Sequence, residues 1–219
     1  MPAPPSPGYA LVVALRQHND FATEFIYPAA EDCLALLRRR LPTVFVGPDV
    51  RRDRFLEVLM DRGPPRILCV FGHGHESRPA LLDSHQQVFL DGDVATAHLQ
   101  GALIVMTCCL HSAAGLPEAL IAAGVGTVVG YREVARVGKK EYLDKQPVVK
   151  ASYRKALTKG FVLPVERWLR GDSVEQAEAH ARRYWSDLAC SGTFVPRISA
   201  YLDANGDNLR SWGDPTRRF

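Results

Sequence analysis

The stretch "RILCVFGHG", residues 66–74, runs through five apolar residues without a polar break and then meets Gly-His-Gly. A strand with one wet face alternates apolar and polar residues, whereas an unbroken apolar run suits a strand covered on both faces, as in a parallel sheet. Just upstream, Pro64 and Pro65 stop the helical pattern of "RRDRFLEVLMDRG" (51–63), since proline removes a donor and cannot continue a helix. Runs of the same kind recur at "YALVVAL" (9–15), "TVFVG" (43–47), "ALIVMTC" (102–108) and "TVVGY" (127–131). Amphipathic helical patterns separate them at "AAEDCLALLRRRL" (29–41), 51–63 and "GLPEALIAAGVG" (115–126). Beyond Tyr131 the pattern turns helical, in "QPVVKASYRKALTKG" (146–160) and "SVEQAEAHARRYWSDLACSG" (173–192), each expected to stop at its glycine. Strands alternating with helices predict an α/β fold, a three-layer sandwich with a mostly parallel central sheet. No internal repeat or linker divides the chain, so one domain is expected over 9–219, behind a flexible proline-rich lead-in, "MPAPPSPG" (1–8).

The totals narrow the function classes. With 219 residues, 47% hydrophobic and 23% charged, the composition is that of an ordinary globular domain. The net charge is only +3, and no lysine cluster is interleaved with aromatics, so no nucleic-acid partner is expected. "LRRR" (37–40) reads as the solvated end of a helix. No apolar run approaches the roughly 20 residues that cross a bilayer, and the lead-in lacks the basic and apolar regions of a signal peptide. No membrane is expected. Five cysteines, an odd number without a disulfide framework, suit a reducing compartment, and the cytoplasm is the expected location. Cys33, Cys69 and Cys190 are expected as buried small hydrophobes, and Trp168, Trp185 and Trp212 as core or interface anchors.

Chemistry in an open parallel sheet gathers at the carboxyl ends of the strands. His73 and Gly74 end one apolar run, and Cys108 and Cys109 end another. Were those strands neighbours, His73 and Cys109 would leave the sheet on one rim, about 5 Å apart before side-chain reach. A cysteine nucleophile needs its thiolate, which a nearby imidazole favours. A helix starting near Gly115 would add partial positive charge, and the backbone amides of Gly74 and Cys109 could face a developing oxyanion. The same region supports a zinc reading through His73, His75, Cys108, Cys109 and His111. Yet no Cys-x-x-Cys or HExxH spacing is present, so no metal is expected. "DANGDN" (203–208) begins like a calcium loop with Asp214 at the twelfth position, but lacks glycine at the sixth and glutamate at the twelfth. A polar turn is expected there.

An apolar strand ending in His-Gly, followed by a second ending in a small residue and Cys, resembles the caspase-like cysteine peptidases, most nearly the CHAT-domain and gingipain-like branch. "GHGHES" (72–77) matches the family's His-Gly block, and "FLDGDVATAHL" (89–99) its L-x-D-G segment. "LIVMTCCLHSAAGLPEALIAAGVGTVVGY" (103–131) resembles its "LVVLSAC…GLAEALLAAGA…VIG" block, and "LDANGDNLRSWGDPTRRF" (202–219) its GDP ending. The likeness covers residues 67–131 well and the last fifteen or so loosely.

The resemblance implies a caspase-like endopeptidase that needs no cofactor. Its histidine would be His73, its nucleophile Cys109, and its oxyanion amides those of Gly74 and Cys109. Because "TCC" places a cysteine where the family has alanine, Cys108 remains the alternative; strand alternation sends the two to opposite sides. His75, Asp83 and Asp91 are the expected substrate contacts. The acidic pockets of some members imply a basic P1 residue, with Asp83, Asp91, Asp93 and Glu118 as available acids. The expected partners are a protein or peptide substrate and, because the chain is short for the family, a regulatory protein. Two readings from other classes stand beside this one, a non-catalytic module binding a protein through the same cleft and a zinc-dependent hydrolase.

Overall fold

The structure, a computed structural model, describes residues 8–17, 20–75, 77–108, 115–133 and 135–219, with Cys108 described by its backbone. The elements follow in the order β1 (Ala10–Ala14), α1 (Phe21–Arg38), β2 (Thr43–Val46), α2 (Arg52–Arg62), β3 (Ile67–Gly74), β4 (Leu81–Leu82), β5 (Val88–Leu90), α3 (Gly92–His98), β6 (Leu103–Cys108), α4 (Leu116–Ala122), β7 (Thr127–Tyr131), α5 (Lys140–Leu143), α6 (Pro147–Leu169), α7 (Val174–Cys190), α8 (Pro196–Asn208) and β8 (Leu209–Gly213).

The five longer apolar runs become the parallel strands of one sheet, ordered β2-β1-β3-β6-β7, and β8 adds antiparallel to the β7 edge. β4 and β5 form a small antiparallel extension that pairs with the end of β3. The fold is therefore α/β with a mostly parallel mixed sheet. Alternate strand residues enter two separate cores. Val12, Cys69, Phe71, Val105 and Val129 pack with α1 and α6–α8, while Leu11, Leu68, Val70, Ile104 and Val128 pack with α2–α4. Helices on both faces, compatible with a three-layer sandwich, explain why the strands show no polar alternation.

Several helices depart from the sequence expectation for local physical reasons. α1 begins at Phe21, eight residues before the expected start, and carries Pro28 in its interior. Pro28 has no N–H for the Glu24 carbonyl four residues back; Arg154 Nη2 of α6 donates to that carbonyl instead, at 2.9 Å. α6 runs past Gly160 to Leu169. A side chain at Gly160 would overlap the indole of Trp185, so the glycine is there for close helix packing and not as a stop signal. "DANGDN" is the last turn and a half of α8, not a polar turn. Asn205 is fully buried there, accepting from the Arg136 amide at 2.7 Å and donating to the Arg136 carbonyl at 3.0 Å. α7 ends where expected, beside Gly192. Its Ser173 and Gln176 form a reciprocal capping box.

Among the cysteines and tryptophans, Cys33 and Cys69 are fully buried as expected, but Cys190 is exposed on the last turn of α7. Trp168 and Trp185 are core residues. Trp212 on β8 is half-buried and donates to Glu118 Oε1 at 2.9 Å. No described helix is long and apolar enough to cross a membrane.

Candidate functional site

The strand order reverses once. From β1 the chain goes to β2 on one side and returns to β3 on the other, so the topological switch lies between β1 and β3. The crevice outside the carboxyl ends at such a switch is where open α/β sheets place ligands. Two side chains meet there, Asp20 from the loop after β1 and His73 from the end of β3.

The loop after β1 is held from several sides. The Leu15 amide donates to the Phe71 carbonyl at 2.8 Å, the Arg16 amide to Pro48 at 3.0 Å, and the Gln17 amide to the hydroxyl of fully buried Thr23 at 3.1 Å. Asp20 follows as the N-cap of α1, its Oδ1 accepting from the Ala22 amide at 3.0 Å. The other carboxylate oxygen, Oδ2, accepts from His73 Nε2. His73 alternates with Ile67, Cys69 and Phe71 along β3 and so lies on the α1 face of the sheet, where it is only 8% exposed. Its Nδ1 is buried and has no hydrogen-bond partner among the described residues. Burial pushes the Asp20 carboxyl up. The hydrogen bond and charge of His73, with help from the Ala22 amide and Thr23, outweigh it and hold the group below its ordinary value.

β3 and β6 are direct neighbours, with Gly72 opposite Cys108 in the parallel register. The strand adjacency on which a His73–Cys109 pairing depends is therefore present. Cys109 and His111 lie outside the described residues. Backbone direction also bears on Gly74. The Phe71 carbonyl faces β1 and the His75 amide faces Ala80 of the β4 side, at 2.8 Å. By alternation the Gly72 and Gly74 amides point the other way, toward β6.

The remaining candidates have local duties. His75 is half-buried beyond Gly74, and the Ser77 amide donates to its Nδ1 at 3.1 Å. Asp83 is 2% exposed; its carboxylate accepts the amides of His85 at 2.8 Å, Gln87 at 2.9 Å and Arg52 at 3.0 Å. It holds the β4–β5 turn against the start of α2 in place of the substrate contact expected of it. Asp91 is the N-cap of α3 and accepts from the Val94 amide at 3.0 Å. The L-x-D-G segment thus starts a helix. Glu118 is engaged with Trp212 on the far edge of the sheet. Among the described residues, no three His, Cys, Asp or Glu side chains come together as a metal-ligand group.

Asp20 is absent from the sequence reading. Its signal was local: an aspartate directly before "FATEFIY" is an N-cap. Pro28 masked the helix that this cap begins, and the histidine it meets is 53 residues away. No protein-family model matches the chain, and no curated protein matches it.

Proposed function

We propose that this protein is a caspase-like cysteine endopeptidase in which Cys109 is the nucleophile and His73 the acid–base residue. The observation that carries the reading is a buried imidazole at the switch-point crevice. It is held through one nitrogen, the other is without a described partner, and its strand lies beside the one that Cys109 follows. The sequence places Cys109 two residues after Thr107, and in an alternating strand that step returns to the same face. This favours Cys109 over Cys108 as the partner of a histidine on the face of Phe71.

In this mechanism His73 takes the thiol proton and the thiolate attacks the scissile carbonyl carbon, forming a tetrahedral oxyanion. The Gly74 and Cys109 amides stabilise the oxyanion. The C–N bond then breaks as His73 gives its proton to the leaving amine, and the acyl-enzyme is hydrolysed by a water that His73 deprotonates. His75, on the same rim, is the proposed substrate contact. A basic P1 preference and cytoplasmic action belong to the same proposal, as does gating by a regulatory protein.

The test is covalent capture. Acyloxymethyl ketone probes bearing Arg, Lys, Asp or Leu at P1 are reacted with the protein and with its Cys109→Ala, Cys108→Ala and His73→Ala variants, and the adduct is mapped by mass spectrometry. P1-dependent labelling at Cys109 that survives Cys108→Ala and is lost in His73→Ala is expected. Labelling at Cys108 would move the nucleophile by one residue. Absence of P1-dependent labelling would favour the non-catalytic binding module.

A further inference from the structure

We propose that Asp20 is the positioning residue of the site, fixing the proton of His73 on Nε2 and so leaving Nδ1 as the basic nitrogen. The role in turnover rests on the peptidase reading above; the tautomer itself does not. An ionised carboxylate only accepts hydrogen bonds, so the nitrogen that meets Asp20 Oδ2 must carry hydrogen. In the neutral ring the lone pair then lies on the opposite nitrogen. That nitrogen is Nδ1, the one buried without a described partner. A ring free to choose its tautomer would be in the wrong form for part of the time, and a ring free to rotate would leave the crevice.

Asp20 is itself fixed. As N-cap it uses Oδ1 on the Ala22 amide, which leaves Oδ2 aimed at the histidine. One carboxylate thereby ties the first turn of α1 to the end of β3, across the switch point. The two duties are separable. Serine caps a helix about as well as aspartate, but its side chain is shorter and uncharged, and a hydroxyl can donate as well as accept.

The experiment uses the full chain as Asp20→Ser and Asp20→Asn, with thermal melts to verify folding and nitrogen-15 NMR of the histidine rings to report the tautomer. The wild-type His73 is expected to show a protonated Nε2 and an unprotonated Nδ1 when neutral. Asp20→Ser is expected to melt near the wild type yet to lose that single tautomer. Asp20→Asn, whose amide can turn a donor toward Nε2, is expected to shift it toward protonated Nδ1. Alkylation of Cys109 by iodoacetamide near neutral pH should fall by about tenfold or more in both. An unchanged His73 tautomer in both folded variants would overturn the proposal. So would unchanged Cys109 alkylation in both, given that His73→Ala lowers it. Alkylation indifferent to His73→Ala would sink the peptidase reading instead, and the tautomer measurement would still decide the positioning role.

Discussion

Arg154 donates to the carbonyl of Glu24, the acceptor that Pro28 leaves without a helical partner, and its guanidinium lies over the Phe25 ring at 5.0 Å. A side chain of α6 thus completes the backbone of α1 at the break that proline makes. Arg154→Met keeps much of the stem packing and removes the charged donor. It is expected to destabilise the fold by about 1.5–3 kcal/mol, the worth of a hydrogen bond to a charged group. Chemical denaturation checks this. Restoring the helical donor with Pro28→Ala should make the Arg154→Met change cost less, which a double-mutant cycle would read.

Gly160→Ala sets two effects against each other. Alanine is favoured over glycine inside a helix by about 1 kcal/mol. At this position the added methyl would overlap the Trp185 indole, which is fully buried and also stacks edge-on with Phe161 at 5.4 Å. Overpacking of a tight core costs about 1–3 kcal/mol, so the variant is expected to be less stable despite the better propensity. A melting temperature at or above that of the wild type would show that α6 and α7 can move apart without loss.

Tyr9 gives the protein an alkaline limit. Its hydroxyl donates to the Gly63 carbonyl at 2.9 Å, and burial pushes its pKa up to about 12, against the smaller opposing effect of Arg62. A group raised in the folded state contributes stability that is fully present below its unfolded value, near 10. That contribution is lost as pH rises through 12. The stability difference between wild type and Tyr9→Phe should therefore be constant below about pH 10 and shrink above it. Urea denaturation from pH 8 to 11.5 follows it. A difference that stays level across that range would show that Tyr9 ionises equally in both states.

Asp83→Asn tests whether the turn or a ligand is this residue's concern. An amide has one acceptor oxygen to offer the three backbone amides now on the carboxylate. A loss of about 1–3 kcal/mol in stability is expected, with the P1 selectivity of probe labelling unchanged in the folded fraction. Changed selectivity at unchanged stability would restore Asp83 as a substrate contact.

The sheet was legible in the sequence because covered strands cannot afford polar residues: each apolar run, from Tyr9–Leu15 to Thr127–Tyr131, contains a strand of the sheet. His73 and Gly74 were legible as strand-end residues for the same reason. What stayed hidden depends on contacts between distant segments. Gly160 and Gly206 look like helix stops until Trp185 is seen packed against both. Pro28 looks like a boundary until Arg154 supplies the missing donor. Asn205 in "DANGDN" looks solvated until Arg136, 69 residues earlier, takes up its amide. Asp20 is the same kind of case, a cap whose second partner no local pattern reveals.

The antiparallel strand β8 has a consequence for how the molecule is made. It pairs Gly213 with Thr127 and Leu209 with Tyr131, so α5–α8 all lie within the loop it closes. Long loops close late, and until this one does, β7 presents an open row of backbone donors and acceptors between two greasy faces. Such an edge is a template for another chain. Damage to the Trp212–Glu118 clasp should therefore show first as lost yield and self-association during refolding, before any change in the finished molecule's resistance to heat.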